Sequence, residues 1–422
     1  MVVIVVIAAS VERAPGARSG YDPARLTIFV VHPSHLLTDH LPHGDGLLAH
    51  RFLRELAGRG HRLHVAVEHM SLSAPIPGDV TLYPIERRAR FPGTDRFAYM
   101  AHVRRTLRAV QGRERVDVAH QLNPVKVGLS LGMLGSRVPL VLGPFVPTWP
   151  TNAGGTRVER LTGRVIDGAR WPLGRITLAA QQAPAAALLL SSRAARVRVV
   201  RATRRGPRLY ELPFGVDTDE FAPDPAGRSA GDPTVLFLAN LERHKGILTL
   251  LDAFDAVVER VQTARLVIAG DGGAAAEVKA RVARLNARDR VQLIGRVPRE
   301  RVPDVMRGAS VYCLPSFGEP FGMTVVEAMS CGVPVVVAAA GGVTHLVPPD
   351  GARLFPPGDG AALARALTEI LQEPALQHRM ARASREHALR VFAWPRLVDR
   401  LEEVYRHVMR VPAEHPPRTT AG

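Results

Sequence analysis

Short apolar runs recur along this chain, each followed by a polar break and then by apolar residues spaced three or four apart. The first run is Leu26-Thr27-Ile28-Phe29-Val30-Val31, the composition of a strand buried on both faces. Helical spacing covers residues 47–58, Gly60 closes it, and Leu63-His64-Val65-Ala66-Val67 resumes as strand. After a polar, proline-rich stretch, the pattern predicts a helix over 96–110 and strands at 116–120, 139–142, 187–190 and 209–213. Residues 221–233, dense in Pro, Gly and polar side chains, read as a linker. A second alternation follows. Strands are predicted at 235–238, 265–269, 291–294, 311–314 and 334–338, with helices at 246–258, 274–285, 301–306 and 323–330. A last strong helix, 395–409, follows the aromatic pair Phe392 and Trp394. Strand and helix in strict alternation, twice over, predict an α/β fold of two doubly wound domains facing across a cleft.

Length agrees with that division, because 422 residues exceed one ordinary core and suit two. The boundaries predicted are an N-terminal extension over 1–24, a first domain over 25–220, the linker, a second domain over 234–394, a closing helix over 395–411 and a disordered tail over 412–422. The apolar opening, Met1 to Ala9, falls far short of the roughly 20 residues a bilayer needs and lacks the basic flank of a signal peptide. Only Cys313 and Cys331 are present, in apolar surroundings, so neither a disulfide framework nor a clustered metal site is expected, and a reducing cytoplasm is the simplest location.

Charge is unevenly placed. Residues 1–225 carry 30 Lys and Arg against 18 Asp and Glu, and the remainder 25 against 21. Arg193, Arg196, Arg198, Arg201, Arg204, Arg205 and Arg208 form a run without an acid, and the region from Arg87 to Arg115 is also rich. Such patches suit an anionic partner: a membrane surface with acidic lipids is the first reading and nucleic acid the last. GC-rich codons would explain the preference for Arg over Lys but not the excess of base over acid.

The most informative segment is Pro315-Ser316-Phe317-Gly318-Glu319-Pro320-Phe321-Gly322-Met323-Thr324-Val325-Val326-Glu327-Ala328-Met329. Pro320 and Gly322 break the backbone just before a helix, which puts Glu319 in the entry loop and Glu327 within the helix. The unpaired amides of a helix N-terminus suit a phosphate, and carboxylates suit hydroxyl groups. Phosphate together with many hydroxyls describes a nucleotide-sugar. A solvated surface helix is the plain alternative for any two glutamates, but the flanking Ser316 and Gly332-Val333-Pro334 argue against it.

This segment resembles the paired-glutamate motif of the family 4 retaining glycosyltransferases (glycosyl transferases group 1), which have the GT-B fold. The resemblance covers roughly residues 26–410 and is strongest over 235–347. It implies that Glu319 lies by the donor sugar, that Glu327 holds the ribose hydroxyls, and that Gly322 and Met323, flanked by Phe321, meet the diphosphate. Asn240-Leu241-Glu242-Arg243-His244-Lys245-Gly246 is similar to the family's phosphate-gripping loop, with Lys245 matching its lysine. Ala239 and Asn240 stand where the family has Gly and Arg, so Arg243 or a first-domain arginine is expected to supply the missing charge. Gly295-Arg296-Val297 is expected beside the nucleobase. In the first domain His120, ending Asp117-Val118-Ala119-His120, resembles a histidine approaching the donor sugar, and Gly44-Asp45-Gly46 falls in the region of a substrate-approaching glycine loop. Gly341-Gly342 matches the family's glycine pair, whereas Thr344-His345 replaces its usual Pro-Glu. The resemblance implies that the last helix crosses back to the first domain, and that neither cofactor nor metal is needed.

The expectation is therefore an enzyme moving a sugar, as a hexosyltransferase type, from a UDP- or GDP-sugar to an unidentified acceptor. A lipid-linked or polysaccharide acceptor in cell-envelope glycan synthesis, at the inner face of the cell membrane, fits the basic first domain. Gly270-Asp271-Gly272-Gly273-Ala274-Ala275 also fits a dinucleotide fingerprint, with Arg296 rather than an acid after the next strand. That keeps an NADP-dependent oxidoreductase open, beside a nucleotide-sugar epimerase and a silent nucleotide-sugar-binding protein.

Overall fold

A computed structural model describes residues 25–32, 34–41, 44–85, 95–122, 129–147, 176–200, 208–225 and 231–410. The expected N-terminal extension, the tail, Arg87, Arg201, Arg204, Arg205 and part of the linker lie outside the described residues.

Both large sheets are parallel. In the first, the strands lie in the order Val80–Pro84, Arg62–Val67, Thr27–Val31, Val118–Gln121, Leu140–Phe145, Ala185–Leu190, Arg208–Glu211. In the second, the order is Val291–Gly295, Arg265–Ala269, Thr234–Leu238, Val311–Leu314, Val335–Ala338, Ala352–Phe355. The central strands read as apolar runs because helices cover both faces of each sheet, and Ile28, Phe29, Val235 and Val336 are fully buried. In each sheet the chain's first strand lies inside the order, between strands reached in opposite directions. A doubly wound sheet opens a crevice there, at the carboxyl ends of its strands. In the second domain those ends carry the loops at 240–246, 270–273 and 315–322.

The helix Gly44–Gly58 packs on one face of the first sheet and Asp95–Gln111 on the other. The first of these faces is completed from far along the chain. Trp394, Leu397, Leu401 and Tyr405, from the helix Trp394–Arg410, are buried with Phe52, Leu53 and Val65 of the first domain. The return begins at Phe214-Gly215-Val216-Asp217. Val216 N–H donates to the Phe392 carbonyl (2.9 Å), and a Cβ on Gly215 would stand 2.6 Å from the Trp394 ring. Arg51 adds an ion pair with Asp217 at 3.0 Å. Among the described residues no helix is long and apolar enough to cross a membrane.

Most predicted elements appear within a few residues of their expected ends, and the exceptions have physical causes. Val80–Pro84, inside the proline-rich stretch, is an edge strand whose residues stay partly exposed, so it lacks an apolar signature. Ala352–Phe355, also at an edge, with Arg353 and Leu354 outward, escaped the pattern for the same reason. Gly44-Asp45-Gly46 forms no separate loop: the helix starts at Gly44, with the Asp45 carboxylate in its first turn, where the helix dipole favours it.

Candidate functional site

The helix Met323–Ser330 begins at the crevice of the second domain, with Gly322 as its N-cap in a left-handed conformation (φ 84°). The amides of Met323 and Thr324 precede the first backbone hydrogen bond of the helix, from Val325 N–H to the Gly322 carbonyl (2.9 Å), and point out of its start. The loop before it is pinned from two sides. The Glu319 carbonyl accepts from Gly342 N–H (2.8 Å) and Val343 N–H (3.3 Å). A side chain could not fit there: a Cβ on Gly341 would stand 2.3 Å from the Glu319 carbonyl oxygen, and one on Gly342 would stand 1.9 Å from that of Pro320. The glycine pair thus sets the position of Glu319. The Ser192 hydroxyl of the first domain lies 3.0 Å from that same Gly342 position, so the two domains meet beside the loop. Thr344, where the family pattern differs, closes the corner by donating its hydroxyl to the Gly341 carbonyl at 2.9 Å.

Lys245 arrives from the loop after the domain's first strand. Its Nζ donates to Glu319 Oε2 at 2.7 Å, with the ammonium mostly covered and Glu319 buried. Its loop is held by Ser316 and Phe317, whose hydroxyl and amide both donate to the His244 carbonyl (3.1 and 2.9 Å). Gly246 lets this happen: its φ is 74°, and a Cβ would stand 1.8 Å from the Pro315 carbonyl oxygen. Burial and the Lys245 ammonium lower the His244 pKa, keeping that ring neutral.

Glu327 is 4% exposed, and Arg299 donates to its Oε1 at 2.6 Å. Burial raises the carboxyl's pKa, and the guanidinium offsets part of that rise. Tyr312 joins the pieces: its hydroxyl donates to the Leu238 carbonyl (3.0 Å) and shares a 2.7 Å hydrogen bond with the Thr324 hydroxyl, tying the first strand's end to the helix start.

The remaining expected residues are placed as follows. Asn240 is exposed at the crevice, as are Gly295 and Arg296, with Val297 half-buried. Arg243 is exposed and its Nε donates to Glu277 at 2.8 Å, a surface pair with the first turn of the helix Ala275–Val282. Phe321 is buried edge-on against Phe214 (4.9 Å between ring centroids) and sits near Phe392, among the aromatic residues of the domain crossing. His120 has no exposed surface: Nε2–H donates to the Gly143 carbonyl (2.8 Å), and Nδ1 accepts from the Tyr405 hydroxyl of the closing helix (2.6 Å). Burial lowers its pKa to about 4. In this conformation both ring nitrogens are engaged by the protein. Gly44 and Asp45 are exposed and Gly46 buried. Gly270 and Gly272 face the protein's own backbone, since Cβ atoms there would stand 1.9 Å from the Ala239 carbonyl oxygen and 2.6 Å from that of Leu241. Their spacing is therefore accounted for by packing of the Lys245 loop. Among the described residues no three His, Cys, Asp or Glu side chains form a group that could hold a metal ion.

The sequence pattern did not reveal Arg299 or the Tyr312–Thr324 link. Arg299 lies in the turn after the strand Val291–Gly295, a crevice position that could have suggested it; Tyr312 sits in an apolar strand and carries no such mark.

Residues 219–387, which carry both acid–base pairs, match the family model for glycosyl transferases group 1. Over these residues the chain carries a group 1 glycosyl transferase domain. A phosphatidyl-myo-inositol mannosyltransferase of Mycobacterium tuberculosis is 37% identical to this chain over 218 residues, covering 48% of this chain and 55% of that one. The gpi3 subunit of a phosphatidylinositol N-acetylglucosaminyltransferase of Schizosaccharomyces pombe is 30% identical over 208 residues, covering 49% and 45%. The chain thus spans about half the length of these relatives. Among solved structures, Anabaena HepE in complex with UDP superposes with a TM-score of 0.67 at 20% identity, covering 90% of this chain and 100% of that one. Sucrose-phosphate synthase from Thermosynechococcus elongatus gives 0.66 at 21%, covering 91% and 99%. At this level of identity the likeness concerns the fold, which is GT-B.

Proposed function

We propose that this chain is a retaining glycosyltransferase that moves a hexosyl group from a UDP- or GDP-sugar to a lipid-linked or polysaccharide acceptor, at the cytoplasmic face of a membrane. The observation that carries the reading is the pair of buried carboxylates flanking one helix tip, each held by a cation: Lys245 on Glu319 and Arg299 on Glu327. Glu319 takes hydroxyls of the transferred sugar and Glu327 those of the ribose. The diphosphate lies between them, against the amides of Gly322 and Met323 and the Lys245 ammonium.

The chemistry follows from that placement. As the anomeric C–O bond to the diphosphate breaks, negative charge grows on the leaving group, and fixed positive charge and amides stabilise it most where water is excluded. The acceptor hydroxyl forms the new bond on the face that the diphosphate leaves, and a donor phosphate oxygen takes its proton. No protein nucleophile is required. Asn240, Arg296 and Val297 line the nucleotide side, and His120 acts from the first domain by fixing the strand end at Gly143.

The acceptor reading is supported by the helix Asp95–Gln111, whose exposed positions include Phe97, Ala101, Arg104, Arg105 and Arg108 at helical spacing. One apolar ring and three arginines on one face suit anionic lipid headgroups. The names of the relatives, which refer to phosphatidylinositol substrates, agree with this choice. A thermal-shift panel of UDP-, GDP- and ADP-sugars tests the donor, followed by nucleoside diphosphate release with membrane extracts and NMR of the product's anomeric configuration. Stabilisation by NADPH but by no nucleotide-sugar would overturn the proposal.

A further inference from the structure

Glu327 is placed with its carboxylate almost wholly buried, a costly location for a charge unless a partner compensates it. Its partner Arg299 comes from outside the paired-glutamate segment and is itself anchored. The guanidinium carbon lies 4.9 Å from the centre of the Phe221 ring, and Nε lies 3.9 Å from Glu220 Oε1. Glu220 and Phe221 belong to the stretch that joins the domains, so the guanidinium that meets Glu327 is held by a third segment of the chain. Glu327 Oε1 is occupied by Arg299 at 2.6 Å, and among the described residues Oε2 has no hydrogen-bond partner.

We propose that Arg299 is the positioning residue of the nucleotide pocket: it keeps Glu327 ionised and fixes it through one oxygen, so that the other is presented to a vicinal diol. This rests on the donor-site reading above and adds to it the device that makes the buried acid usable. A neutral carboxyl would lose part of its capacity to accept two hydroxyl donors. The charged and titratable groups around Glu327 are Arg299, Glu220, Tyr312 and Cys331; Arg299 is the cation that lowers its pKa, Glu220 opposes it, and burial holds both Tyr312 and Cys331 neutral. Removing the guanidinium therefore moves Glu327 further toward its protonated form.

The test is isothermal titration of the full-length protein with UDP, GDP and ADP from pH 5.5 to 8.5, using the wild type, Arg299→Met and Arg299→Lys. Wild-type affinity for the preferred nucleotide is expected to change little across the range. Arg299→Met should bind about ten- to a hundredfold more weakly at low pH and recover as pH rises. Arg299→Lys should restore most of the affinity and the flat profile. Arg299→Gln provides the same comparison should the methionine variant not fold. Equal affinity of wild type and Arg299→Met at every pH would overturn the role of Arg299 alone, as would a pH-independent loss that lysine does not rescue. Failure of the wild type to bind any nucleoside diphosphate would instead overturn the donor-site reading and this inference with it.

Discussion

At the scale of single residues, the site depends on the Lys245 ammonium and on backbone held in place by glycine. Lys245→Met should lower kcat by about 10²- to 10³-fold in a donor-consumption assay while the protein stays folded, because that charge is called on chiefly as the diphosphate departs. Gly342→Ala should be nearly as damaging without removing a functional group. Its methyl would meet the Pro320 carbonyl at 1.9 Å, displacing the Glu319 loop, and a shift of that order costs about 10²-fold in turnover. A crystal structure of the alanine variant with an unmoved loop would contradict the argument. The glutamates were legible in the sequence because they share one loop and helix, and Lys245 and the glycine pair because each stands in a short motif that resembles a known family. Arg299 was not, since it stands in no such motif and only the fold brings it to Glu327.

Among the elements, the helix Trp394–Arg410 links the two halves of the chain. Its packing was anticipated from resemblance, but its polar fastenings were not, because each joins residues hundreds of positions apart. His120 meets Tyr405, and His61 lies between Leu26 N–H, which donates to Nδ1 (3.1 Å), and Glu402, 3.0 Å from Nε2. Both rings are buried, and burial lowers both pKa values. The unfolded chain therefore binds protons that the folded one refuses, so stability falls as pH drops below about 6.5, where an unfolded histidine titrates. For His120, with a folded value of about 4, the loss between pH 6.5 and 4 is on the order of 3 kcal/mol. Denaturant unfolding followed by circular dichroism over that range should show it, and His120→Gln should flatten the slope while lowering stability at neutral pH. The edge strands Val80–Pro84 and Ala352–Phe355 show the limit of periodicity: where one side of a strand faces solvent, the apolar run that betrays a buried strand is missing.

For the molecule as a whole, the charge asymmetry seen in the sequence becomes a surface. Reversing Arg104, Arg105 and Arg108 to Glu should weaken co-sedimentation with vesicles containing acidic phospholipids by about 10²-fold or more, at roughly 1 kcal/mol for each charge near the surface. Raising salt from 0.05 to 0.5 M should weaken the wild type in the same direction. Binding unchanged by either treatment would remove the membrane from the account, leaving donor chemistry untouched. The return of the last helix to the first sheet also bears on biosynthesis. A ribosome delivers residues 25–220 early, yet Phe52 and Leu53 await Trp394, Leu397 and Tyr405 before their shared core is complete. The half made first is thus the last to close, and the nascent chain must keep an apolar face shielded until the helix Trp394–Arg410 has been made.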